Sequence, residues 1–170
     1  AERLYSRAVN ICRRLMQTDP AASKTETARY CHDLALFYEN RDRKEEAEPL
    51  YREAWEIYHQ LSETYPRSYD AYLSPASFNL AILLKNMGKY EEAIRFFREA
   101  LAADRRMAAA NPGIYAEYPA ESGCYLADLL YDRNQKEAEQ LYEEVLRICE
   151  GKPGKEAEVQ RIRKILGKQM

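Results

Sequence analysis

The chain has 170 residues, 46% of them hydrophobic, enough for one sizeable core and with no call for a second domain. Lys plus Arg number 26 and Asp plus Glu 28, so the formal net charge of −2 offers no global field for drawing in nucleic acid. No run of about 18 apolar residues is present to span a bilayer and the N-terminus lacks a signal peptide's basic and apolar stretches, so the sequence reads as soluble and cytoplasmic, without a membrane or nucleic-acid partner.

Apolar residues recur at helical spacing along the whole chain and predict helices at about 2–17, 23–41, 44–64, 70–87, 90–110, 116–133, 135–150 and 155–167. The first starts inside its pattern without an initiating Met, which reads as a fragment of a longer array with an apolar end exposed. The second is opened by Ser23 with Glu26 at capping-box spacing and carries Leu34, Phe37 and Tyr38. A polar turn, Asn40-Arg-Asp-Arg43, leads to the third, where Asp42 and Glu45 have the same spacing and Ala47, Leu50, Tyr51, Ala54, Ile57, Tyr58 and Leu61 form the apolar face. Between the fourth and fifth helices, Gly88 suits the left-handed residue that ends a helix. Asn134 with Glu137 marks the start of the seventh. Gly151-Lys-Pro-Gly-Lys155 lacks the spacing of a phosphate loop and serves as a linker. In the last helix Ala157, Val159, Ile162 and Ile165 face one way and Arg161, Arg163, Lys164 and Lys168 largely the other, as a polar cap would.

These elements repeat with a period of 46. Pro20, Pro66 and Pro112 coincide, as do Leu34, Leu80 and Leu126, and Ala35, Ala81 and Ala127. Ala1, Ala47 and Ala93 also coincide, followed by Tyr5, Tyr51 and Phe97 and by Ala8, Ala54 and Ala100; a further copy, Ala138, Tyr142 and Val145, follows after one deletion. Tyr69 and Tyr72 fall on Tyr115 and Tyr118. The division is one unit over 1–170: a half repeat at 1–19, full repeats at about 20–65, 66–111 and 112–150, and a capping helix at about 155–167, with the prolines between hairpins where a missing amide hydrogen does least harm.

The string Asn79-Leu-Ala-Ile-Leu-Leu-Lys-Asn-Met-Gly88-Lys-Tyr90-Glu-Glu-Ala93-Ile-Arg-Phe-Phe97-Arg-Glu-Ala100-Leu resembles the tetratricopeptide repeat (TPR) pattern almost position for position. The copies around Leu34, Ala47 and Tyr51 and around Leu126, Ala138 and Tyr142 are similar to it. The family's unit is about 34 residues, and the extra length here resembles the long-unit variety of kinesin-light-chain-type arrays. The resemblance implies an all-α fold, a right-handed superhelical stack of antiparallel helix hairpins (TPR-like α-solenoid) of about eight helices. It also implies that the first helix of each hairpin lines a concave face.

On that basis the groove comprises Arg29, His32, Leu36, Glu39 and Asn40, then Phe78, Ile82, Lys85 and Asn86, then Glu121, Cys124, Asp128, Tyr131 and Asp132, running from mixed and apolar to acidic. The implied ligand is a peptide or helix of another protein, partly apolar and partly basic, with Phe78, Ile82 and Tyr131 as apolar contacts. Some family members capture a terminal carboxylate on this face with a polar set; Asn79 matches that set, but Leu36, Phe78, Asp128 and Tyr125 stand where much of it would be. Most of the 14 tyrosines repeat in register and so read as packing, with Tyr72 and Tyr118 at the groove's lip as the exceptions.

Nothing points to an enzyme, a metal or a cofactor. His32 and His59 lack a nucleophile or ligand set, and Glu45-Glu46, Glu91-Glu92 and Glu143-Glu144 read as helix-starting, solvated carboxylates. Cys12, Cys31, Cys124 and Cys149 are scattered without metal spacing, which favours structural thiols and a reducing compartment. A protein-binding scaffold is the leading expectation. Self-association as a segment of a longer array, or a sensor whose groove takes a small molecule or signalling peptide, are the others.

Overall fold

The computed structural model describes residues 2–18 and 20–167, and every regular element among them is helical. In chain order these are α1 (Glu2–Thr18), α2 (Pro20–Glu39), α3 (Lys44–Thr64), α4 (Pro66–Asn86), α5 (Tyr90–Ala110), α6 (Pro112–Tyr115), α7 (Tyr118–Leu130), α8 (Gln135–Cys149) and α9 (Glu156–Ile165). Each long helix packs chiefly on its neighbours in sequence, giving hairpins α2–α3, α4–α5 and α7–α8 stacked side by side, with α1 at one end and α9 at the other. This is the expected all-α helical-repeat stack.

Helix starts differ from the expectation at the joins. Pro20, Pro66 and Pro112 open α2, α4 and α6 instead of lying between helices, because the first residues of a helix need no intrahelical amide partner and proline's φ is already helical. Ser23 therefore lies inside α2 and is not its cap. Nine helices are present among the described residues, the additional one being α6, a single turn ahead of the helix that the sequence places over about 116–133. Pro119, in the first turn of α7, has no amide to offer the Tyr115 carbonyl and interrupts the run.

The turns inside the first two hairpins share one device. Asp42 and Gly88, one period apart, both take positive φ, at 58° and 76°. Asp42 is thus the left-handed turn residue and not the cap of α3, and its carboxylate meets Lys44 at 2.9 Å. The third turn uses the expected side-chain cap, with the Glu137 amide donating to Asn134 Oδ1 at 3.4 Å.

Core positions follow the period closely. Ala47, Ala93 and Ala138 are completely buried, as are Ala35, Ala81 and Ala127 on the facing helices. Tyr51, Phe97 and Tyr142 lie behind them, all but sealed from solvent. The alanines let paired helices approach closely and the rings fill the space toward the next hairpin.

A set of side-chain pairs ties each second helix to the next in the same register. Arg13 meets Glu53, His59 meets Glu99 and Arg105 meets Glu144, at equivalent positions of three successive joins. A second row pairs Arg52 with Glu92 and Arg98 with Glu137. The paired glutamates thus do more than solvate the face. His59 Nδ1 lies 2.7 Å from Glu99 Oε1 without the alignment of a hydrogen bond, while Trp55 stacks on the imidazole and donates its indole N–H to the other oxygen of Glu99 at 2.5 Å.

These layers differ in weight. Phe97→Ala should cost about 3–5 kcal/mol of folding stability by leaving a cavity, whereas Arg105→Ala should cost less than about 1 kcal/mol because its ion pair is half exposed. Urea denaturation of the two variants beside the parent chain measures both.

Candidate binding cleft

Three first helices, α2, α4 and α7, are linked in sequence by side chains one period apart. His32 on α2 meets Asn79 on α4, with Nε2 and Nδ2 2.8 Å apart. Phe78 on α4 packs edge-on to Tyr125 on α7, with ring centroids 5.3 Å apart. Cys124 on α7 receives a guanidinium N–H of Arg161 on α9 at 2.7 Å. The stripe position represented by His32, Phe78 and Cys124 is therefore a join between first helices, and Cys124 is buried in it.

The other groove residues divide by environment. Leu36, Asn40, Asn86, Tyr131 and Asp132 are exposed, and Ile82 is half-buried. Arg29 is exposed and pairs with Glu26 on its own helix. Glu39 accepts the Tyr51 hydroxyl at 2.8 Å, and the Lys85 ammonium sits 4.9 Å over the Tyr125 ring. Asp128 is committed within the chain: it takes an N–H of Arg161 at 2.9 Å and the hydroxyl of Tyr142, because α9 folds back over this end. The cap's Arg161 is likewise engaged and not a free basic surface.

Between these contacts the face opens into clefts. A small one of about 160 Å³ lies between α2 and α4, walled by Arg29, His32, Tyr72 and Pro75 over Tyr58. A larger one of about 440 Å³ lies between α4 and α7, with Phe78 and Pro75 on one wall, Tyr118 and Glu121 on the other, and Asp104 of α5 at the floor. Tyr72 and Tyr118, the two tyrosines placed at the lip, are each about half exposed.

Asp104 is the residue that the helical stripe does not reveal, since it belongs to a second helix. It is buried, with the Ser74 hydroxyl donating to one carboxylate oxygen and the Ser122 hydroxyl to the other at 2.6 Å. Burial pushes its carboxyl above the ordinary range, against the lowering effect of the two serine hydrogen bonds. The period holds the signal that finds it, because Asp104 occupies the position filled by Tyr58 one unit earlier.

The four cysteines are all buried and unpaired. Burial holds the Cys31 and Cys124 thiols up to about 12, which keeps them as inert packing groups. Among the described residues no group of three or more His, Cys, Asp or Glu side chains is placed to hold a metal ion, and no helix is long and apolar enough to cross a membrane.

Stacked antiparallel hairpins with an open face of first helices define a helical-repeat protein of the solenoid class. Residues 27–64 and 74–106, which fall on α2–α3 and α4–α5, each match the tetratricopeptide repeat family. The chain therefore carries tetratricopeptide repeats, a fold typical of protein–protein interaction scaffolds. It is also similar to a crystal structure of BtubC (BKLC) from P. vanneervenii, with 26% identity and a TM-score of 0.63 over 98% of this chain. The match spans 63% of that protein's length. No curated protein matches the chain.

Asp104 makes stability depend on pH in a defined direction. A carboxyl whose folded-state pKa is raised contributes most when protonated, and that contribution is lost as pH rises from its ordinary value of 3.8 through the folded value. Asp104→Asn should raise stability at pH 7 by on the order of 1 kcal/mol, with the difference from the parent shrinking as pH falls through the raised folded value toward 3.8. Thermal melts across this range measure it.

Proposed function

We propose that the chain is a non-enzymatic scaffold that binds a peptide or helix of a partner protein along the face of α2, α4 and α7. The observation that carries this reading is the cleft of about 440 Å³ between α4 and α7, apolar on one wall and acidic on the other. Its volume lies in the range of ligand pockets, about 300–1,000 Å³. Exposed Leu36 and Tyr131, with half-buried Ile82 and Phe78, add apolar contacts along the same face. Arg29, Glu39, Asn40, Lys85, Asn86 and Asp132 supply its polar border, and a partly apolar, partly basic segment complements it best.

Peptides selected from a displayed random library on the immobilised chain test this. Their footprint, read by backbone amide shifts, should fall on α2, α4 and α7, and Phe78→Ala should weaken them about tenfold. A footprint confined to α3, α5 and α8 would show that the other face does the binding.

A second reading has its own observation. Leu4, Ile11 and Leu15 line one face of α1 and are 73%, 48% and 50% exposed, a stripe that none of the described residues covers. Packing of α1 against α1 of a second copy would cover that stripe. Light scattering should then show dimer at high concentration and monomer in Ile11→Glu; monomer at every concentration in the parent chain removes this reading.

A further inference from the structure

The two clefts of the first-helix face occupy the same place in successive repeats, and comparing them in register shows what the second one lacks. In the first, the floor is Tyr58, whose ring stacks on Tyr72 at 5.4 Å and 21°, and Arg29 lines the near wall with Pro75 opposite. Shifting by one period puts Asp104 for Tyr58, Tyr118 for Tyr72, Pro75 for Arg29 and Glu121 for Pro75. The lip ring is kept, the ring beneath it is lost, the chain's own guanidinium is lost and two carboxylates are gained. The volume rises from about 160 to about 440 Å³.

We propose that the cleft between α4 and α7 receives a basic side chain, arginine or lysine, of the partner peptide, with Glu121 and Asp104 as its counter-charges and the Tyr118 ring beside it. This rests on the reading of the first-helix face as the peptide-binding surface. The charges at the site support it. Glu121 is exposed and makes no ion pair among the described residues, whereas Glu117 on the same rim is already held by Lys152 at 3.1 Å. Each oxygen of Asp104 takes one neutral hydroxyl, leaving acceptor capacity on a carboxylate that has no cationic partner among the described residues. Tyr118 lines the cleft, is about half exposed and meets Tyr115 at 5.1 Å with the two rings nearly perpendicular, so its ring is accessible to a cation in the cleft. Lys155, at the start of α9, also lines the rim and is not ion-paired among the described residues. It acts as the chain's own weak competitor for the same carboxylates.

The test uses blocked five-residue peptides identical except for a central arginine, lysine, citrulline or glutamate, titrated into the isotopically labelled chain and read by backbone amide shifts. Arginine and lysine peptides should move the signals of Glu121, Ser122 and Asp104 and bind about tenfold more tightly than the neutral citrulline peptide. Glu121→Gln should weaken the arginine peptide about tenfold without altering the melting temperature, and Lys155→Ala should strengthen it. Asp104→Tyr, which restores the aromatic floor of the first cleft, should abolish it in a protein that still melts cooperatively. Equal affinity for arginine and citrulline, or undiminished arginine binding to Glu121→Gln, would overturn the proposal. Selected library peptides that footprint on α4 and α7 but carry no basic residue would overturn it too, while leaving the broader reading of the face intact.

Discussion

Within every hairpin the close approach of the two helices depends on a buried alanine on each: Ala35 and Ala47, Ala81 and Ala93, and Ala127 and Ala138 provide small surfaces on both helices, and all are completely buried. A larger side chain at these positions would spread the pair, and the ring behind it, Tyr51, Phe97 or Tyr142, would no longer close the space to the next hairpin. Because this spacing recurs with the period, each join presents its neighbours with nearly the same geometry. That is why a basic side chain and a carboxylate meet at the same pair of positions three times, as Arg13 and Glu53, His59 and Glu99, and Arg105 and Glu144. The ion pairs are partly exposed and individually weak. They mark the register that the buried alanines and rings establish.

The middle join shows how far such a position can vary. Where its neighbours place arginine it places His59, and the carboxylate opposite, Glu99, takes its hydrogen bonds from the Trp55 indole and the Ser77 hydroxyl instead. The loss of a guanidinium's fork of donors is offset by an aromatic stack and hydrogen bonds from two other helical positions. A repeat protein tolerates this because each hairpin contacts only its neighbours, so a local exchange is compensated locally.

Much of the fold was legible in the sequence for the same reason. A core that repeats in register writes itself as coincident alanines and aromatics, and Leu34, Leu80 and Leu126 are as buried as their alignment implies. Helix ends were less legible, since proline is compatible with both a join and a first helical turn, and only the structure shows that Pro20, Pro66 and Pro112 open helices. The face of the first helices was legible as a stripe but not in its division of labour. Helical spacing locates residues on one side of a cylinder; it does not say that His32, Phe78 and Cys124 turn toward the next first helix, or that α9 returns to engage Asp128. Asp104 escaped a stripe drawn on first helices alone because it reaches the cleft from a second helix.

The contrast between Tyr58 and Asp104 shows where this fold separates stability from binding. At the first join the floor position holds a ring that fills the cleft and stacks on its neighbour. At the second it holds a carboxylate taken out of water, which costs free energy even with two hydroxyls donating to it. Nothing in hairpin packing requires that exchange, since the helices around it keep the same order and the same buried alanines. A tyrosine there would fill the space and avoid the desolvation. The carboxylate instead leaves a chamber with an acidic floor, open to the face that the rest of the stack holds in place. In a repeat array, where most positions are constrained to match their counterparts, a departure that lowers stability and opens a charged cleft at the same point is the place to look for function.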